Sequence, residues 1–204
     1  MLFDITDRMA AEERLRLLAR EVDHRANNLL AVVQSTVALS KAPSVPALKE
    51  ILAGRVAALA RAHQLLAESR WSGADLRRIV EEELRPYTVD DPHRVIIRGN
   101  RYPLEPHAAQ SVAMAIHELS TNAAKYGALS VEEGRVAVTW TSDTIGLRMR
   151  WEERGGPPVK PPSHRGLGMT VLERSLKSQS GGGAKLDWRP QGLVCELTLM
   201  ADNR

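Results

Sequence analysis

The sequence predicts an α+β protein: a helical hairpin of the four-helix-bundle type, then a two-layer α/β sandwich. Three observations carry this. No Pro or Gly interrupts Met9 to Ser40, where Ala, Leu, Arg and Glu dominate. After the break at Lys41-Ala42-Pro43-Ser44-Val45-Pro46, Leu48, Leu52, Val56, Leu59 and Leu66 recur at helical spacing from Ala47 to Ser69. Beyond Trp71-Ser72-Gly73 the texture changes to apolar alternation of period two, mixed with helices.

Two long amphipathic helices joined by a short turn make a hairpin. Alone it leaves an apolar face uncovered, so it pairs with a second copy or folds against other parts of the chain. In the second half, Ala74 to Leu84 reads as a helix, Arg94 to Arg98 as a strand and Pro106 to Tyr126 as a long helix. Val136, Val138 and Trp140 alternate on one face of a strand. Leu147, Met149 and Trp151 do the same, as do Leu193, Cys195, Leu197 and Leu199. Half-buried strands among helices suggest a sheet with helices covering one side. Gly181-Gly182-Gly183 reads as a loop between a helix and a strand.

Composition narrows the function classes. Hydrophobic residues make up 43% and charged residues 26% of the 204, ordinary for a globular chain. The net charge is +3, but no block of like charge suggests a nucleic-acid arm. Cys195 is the single cysteine, so intrachain disulfides and cysteine-rich metal sites are excluded; its place in an alternating stretch makes it a small buried side chain. Apolar runs such as Leu29 to Val33 are too short to span a bilayer, and no secretory leader opens the chain. A cytoplasmic protein is expected.

His24 lies inside the first helix, in Glu21-Val22-Asp23-His24-Arg25. On a helical wheel Val22, Leu29 and Val33 form the apolar stripe, and His24 falls roughly 160° away, beside Arg20, Asn27 and Ala31. An outward imidazole suits a phosphoacceptor, because neutral imidazole is available near pH 7 and is nucleophilic. A plain surface histidine has the same geometry. His63, near the stripe of the second helix, reads as a packing residue.

The sharpest signal is His117-Glu118-Leu119-Ser120-Thr121-Asn122-Ala123-Ala124-Lys125-Tyr126-Gly127. Glu118, Asn122 and Lys125 share one helical face. An amide oxygen for a hard cation, an amine for phosphate and a carboxylate for a coordinated water suit a magnesium triphosphate, and equally a solvated surface. Further on come Trp151-Glu152-Glu153-Arg154-Gly155-Gly156 and Gly166-Leu167-Gly168. The first pair of glycines permits close approach by a flat ligand; the second opens a helix whose amides can hold phosphate.

This ordered set resembles the HWE group of histidine kinases, within the GHKL ATPase superfamily, over about Arg20 to Leu199. The group is marked by a His in the asparagine box and a Trp-x-Glu before the first glycine box, matched by His117 and by Trp151-Glu152-Glu153. Asp23-His24-Arg25 and Ala60-Arg61-Ala62-His63 fit as well. The resemblance implies a Bergerat-type sandwich that binds ATP and Mg²⁺. His24 would be the phosphoacceptor, and Asn122 the magnesium ligand assisted by Glu118. Lys125 and Tyr126 would approach the nucleotide. Glu153 would read the adenine amine, and Gly155, Gly166 and Gly168 would shape the pocket. Pro157 to Arg165 would form a lid in which Lys160, His164 and Arg165 neutralise phosphate.

The implied activity is autophosphorylation, then transfer to an aspartate of a response regulator, from a homodimer or a monomer. A histidine phosphotransfer adaptor with a degenerate ATPase-like domain is the alternative. Members commonly carry Lys three residues after the phosphoacceptor; here Asn27 stands there, followed by the expected Asn28. Phe3-Asp4-Ile5-Thr6-Asp7-Arg8 is similar to the end of a PAS sensor, although an Asp-Ile-Thr helix cap has the same pattern. The expected domains are therefore 1–13 connector, 14–70 dimerisation and phosphotransfer hairpin, and 71–204 catalytic ATP-binding domain.

Overall fold

A computed structural model of the chain describes residues 3–159 and 182–201, with the side chains of residues 3–7, 18, 21, 24 and 25 outside that description. Helix α1 (Phe3–Leu39) is uninterrupted and runs through Asp4-Ile5-Thr6. Thr36 and Ser40 close its end by bonding their hydroxyls to the carbonyls of Val32 and Thr36. Contacts divide the chain at Ser40, with 1–40 as one unit and 41–204 as the other. In the first unit Leu15, Val22, Leu30 and Val37 are all at least half exposed.

The second unit opens with α2 (Val45–Glu68), which Ser44 caps by accepting from the Ala47 amide and which carries Pro46 in its first turn. Short strand β1 (Ala74–Asp75) leads into α3 (Leu76–Leu84), and Asp75 caps that helix through the Arg77 amide. The helix expected from Ala74 therefore starts two residues later. Ala74 and Asp75 pair instead with β3 (Pro103–Leu104). Strand β2 (Val95–Arg98) begins one residue after the expected Arg94, which closes a 3₁₀ turn. Helix α4 (Pro106–Tyr126) has the expected bounds.

Strands β4 (Arg135–Ser142), β5 (Gly146–Arg154), β6 (Gly183–Arg189) and β7 (Gly192–Met200) complete a mixed sheet of order β2-β4-β5-β7-β6. Among the described strands only β2 and β4 pair in parallel. The alternation seen in sequence becomes two faces. Val136, Val138, Trp140, Leu147, Met149, Trp151, Cys195, Leu197 and Leu199 are buried in one core with Ile79, Leu84, Val112, Ile116 and Leu119 of α3 and α4. The opposite face is charged: Arg150 faces Glu196 across the β5–β7 register and bonds it at 2.9 Å. A strand after Gly181-Gly182-Gly183 is expected without bounds; β6 begins at Gly183 itself, and its apolar set Ala184, Leu186 and Trp188 is only partly buried at a sheet edge.

Cys195 is buried as expected, and burial pushes its thiol up to about 12. Contacts place the division between compact units at Ser40, and α2 packs into the sandwich core through Ala62, Leu65 and Leu66. His63 meets the Trp71 ring edge-on at 4.8 Å, a packing role, although its Nδ1 has no hydrogen-bond partner among the described residues.

Candidate nucleotide site

Helix α4 decides the site by having two faces. Ala109, Val112, Ala113, Ile116, Leu119 and Ala123 are buried against the sheet and α3. The helical repeat then places Glu118, Asn122 and Lys125 on another face, where Asn122, Lys125 and Tyr126 are exposed and Glu118 is partly covered. Gly127 ends the helix, and a 3₁₀ turn over Ala128–Ser130 follows.

Glu153 meets that turn. It is buried at the end of β5, and its Oε2 accepts from the Ala128 amide at 2.8 Å while its Oε1 accepts from the Trp151 indole at 3.1 Å. Burial pushes the Glu153 carboxyl up, and the two N–H donors pull against it without cancelling the shift. The approach is tight: a Cβ on Gly127 would sit 2.0 Å from Glu153 Oε2, and one on Gly156 would sit 2.7 Å from the Ala128 Cα. Gly155 stands at φ +72, where a side chain is strained.

Helix α2 lies against α4 and engages two of the expected site residues. Arg55 binds both oxygens of Glu118, Nε to Oε1 at 2.7 Å and Nη2 to Oε2 at 3.0 Å, with both side chains largely buried. Lys125 meets Glu50 at 3.2 Å in a far more exposed pair. A second bidentate pair, Arg61 to Glu83, lies between α2 and α3 at 2.8 and 2.5 Å. His117 completes it with Nδ1 3.3 Å from Glu83 Oε2. Burial alone raises the Glu83 carboxyl, but the hydrogen bonds from His117 and Arg61 outweigh it and hold the group below its ordinary range. Gly54 lets the helices close over this cluster, since a Cβ there would meet His117 Nε2 at 2.9 Å.

The structure thus brings Glu118, Asn122, Lys125 and Tyr126 onto one helix and joins Glu153 to its C-terminal end, with Gly155 two residues further along the chain against Glu133 and Gly134. His24 falls within α1, and its side chain lies outside the described ones. Gly166, Gly168 and the lid residues Lys160, His164 and Arg165 lie outside the described residues altogether. Sequence reasoning missed Glu50, Arg55 and Glu83 as partners of the site helix, and Arg61 as the partner of Glu83. A cavity of about 270 Å³, lined by Leu65, Glu68, Asp75, Arg78 and Arg101 among others, shares no residue with the candidate site. Among the described residues no helix is long and apolar enough to cross a membrane, and no cluster of three or more His, Cys, Asp or Glu can hold a metal.

Residues 21–101 match the family model for the HWE histidine kinase. The blue-light-activated histidine kinase of Brucella anthropi is 34% identical over 203 residues, covering 97% of this chain and 41% of the relative. That of Rhizobium johnstonii is 33% identical, covering 93% and 54%. The chain spans about half the length of these relatives. Among solved structures, the Erythrobacter litoralis EL346 blue-light activated histidine kinase shares the fold at TM-score 0.61 and 19% identity, over 88% of this chain and 57% of that one. A structure of its histidine kinase domain superposes at 0.54 and 15% identity, over 85% and 95%.

Proposed function

We propose that the chain belongs with the HWE histidine kinases and is the ATP-dependent phosphorylating core of a sensor kinase. The observation that carries the reading is the α4 face with Glu118, Asn122 and Lys125, met at its C-terminal end by the buried Glu153 carboxylate. Glu153 accepts from the adenine amine. Lys125 exchanges its exposed bond to Glu50 for a phosphate oxygen, a modest change because exposed pairs contribute only about 0–1 kcal/mol. Tyr126, exposed one residue on, flanks the nucleotide, and Gly155 lets it approach the backbone.

The donor set fits Mg²⁺ as a nucleotide-borne ion rather than a resident one. The exposed Asn122 can give an amide oxygen and Glu118 a carboxylate, with phosphates and water supplying the rest. Bound there, the ion would neutralise charge on the phosphates. Glu118 serves it only if Arg55 shares or yields one of the two oxygens it now holds.

In the transfer itself, a deprotonated imidazole nitrogen of His24 attacks the γ-phosphorus. The bond to the β-bridging oxygen breaks, ADP leaves, and a nitrogen–phosphorus bond forms. The phosphohistidine then passes its phosphoryl group to an aspartate carboxylate of a response-regulator receiver domain. The resemblance assigns Gly166, Gly168 and the 157–165 stretch to the phosphate end of the site. Residues 14–70 form the phosphoacceptor and dimerisation part, and 71–204 the ATP-binding part, in the cytoplasm and downstream of a PAS-like sensor. The exposed Leu15, Val22, Leu30 and Val37, spaced seven or eight apart on α1, support a homodimer through that helix.

Titration with a fluorescent ATP analogue in the presence of Mg²⁺ tests the reading. Saturable binding that unlabelled ATP competes away is expected. Absence of such binding would favour the phosphotransfer adaptor.

A further inference from the structure

Trp151 and Glu153 are two apart on β5, so their side chains share the core face of the strand. Trp151 is fully buried, and a buried indole needs an acceptor for its N–H. Trp140, on the neighbouring strand, uses the Asn100 carbonyl at 2.7 Å. Trp151 instead donates to a side chain, the Glu153 carboxylate. With the Ala128 amide on the other oxygen, each carboxylate oxygen holds one fixed donor. About four lone-pair sites exist on a carboxylate, so roughly half remain for an incoming amine.

We infer that Trp151 is a positioning residue for nucleotide recognition, its indole N–H holding Glu153 as an oriented acceptor for the exocyclic amine of adenine. The inference rests on the reading of Glu153 given under the proposed function. The surroundings explain the need for such a donor. Val136 of β4, the register partner of Glu153, is a buried apolar residue, and Gly127 and Gly192 press against the carboxylate and its backbone. Glu152 and Arg154 alternate to the charged face, where they bond to each other. Burial and the two N–H donors are what act on Glu153, and burial pushes toward the protonated form. A protonated carboxyl presents an O–H to a ligand amine that also donates. Each N–H aimed at the oxygens therefore favours the form that binds adenine.

The test combines indole NMR of the intact chain with nucleotide titration across pH. The wild-type protein has four tryptophans and hence four indole N–H resonances. The Trp151 resonance, identified by its absence in Trp151→Phe or its shift in Glu153→Gln, should titrate. Its midpoint should match the pH at which affinity for the fluorescent ATP analogue falls on acidification. In Trp151→Phe affinity should drop about tenfold, the scale of a lost hydrogen bond to a charged group, and its midpoint should move to higher pH. Affinity for inorganic tripolyphosphate should not change. Binding by Trp151→Phe with unaltered affinity and midpoint overturns the inference alone, as does a wild-type Trp151 resonance that ignores pH. The wild-type resonance decides even if the Phe variant fails to fold. No saturable analogue binding by the wild type overturns the kinase reading and this inference with it.

Discussion

Asn122→Asp should reduce labelling by Mg·ATP to background while leaving the fold intact. The substitution is nearly isosteric and the side chain is exposed on α4, so stability should change by no more than about 0.5 kcal/mol. The amide oxygen offered to Mg²⁺ becomes a carboxylate, so the ion is held with altered charge and the phosphates meet an added negative group. Radiolabel incorporation together with a thermal melt checks both halves. Undiminished labelling would remove Asn122 from the site; a collapsed melt would make it a structural residue.

Glu83→Gln should destabilise the second unit by about 3 kcal/mol, the low end for breaking a buried ion pair, because Arg61 is about one-third exposed. Glu83 is almost wholly buried and faces two donors from two other helices, Arg61 of α2 and His117 of α4. The pH dependence has a definite sign. Its carboxyl is held below the ordinary range, so its contribution is present above the unfolded glutamate pKa near ~4.3 and is lost as pH falls through the folded value. Urea unfolding should therefore show a wild-type advantage at pH 7 that shrinks on acidification below about pH 4. Equal stability of the two proteins at pH 7 would mean the cluster does not join the helices.

The sequence made the sandwich legible because its signals are local. Period-two alternation in β4, β5 and β7 and the helical face of α4 depend on neighbours a few residues apart, and α4 matched its expected bounds. Asn122, Lys125 and Glu118 could be grouped for the same reason. The partners of that helix could not. Arg55 and Glu118 are 63 residues apart and Arg61 and Glu83 are 22 apart, so no short spacing announces either pair. The leucine repeat of α2 reads as one arm of a hairpin, and nothing local in it announces that Ala62, Leu65 and Leu66 are buried in the core of the second unit. The bounds of β6 escaped because edge strands bury less and carry charges between their apolar residues.

His117 and Trp151 show how a motif differs from a mechanism. Both stand among the residues that carry the family resemblance. The structure gives them separate physical tasks, one tying three helices together through Glu83 and the other donating its indole N–H to Glu153.

Incubation of the chain with Mg·[γ-³²P]ATP, followed by acid and alkali treatment of the labelled protein, tests the central claim most directly. Wild type should take up phosphate that acid removes and alkali spares, as a nitrogen–phosphorus bond requires, and His24→Ala should take up none. Acid-labile label persisting on His24→Ala, or release of free phosphate with no labelling of the wild type, would contradict it.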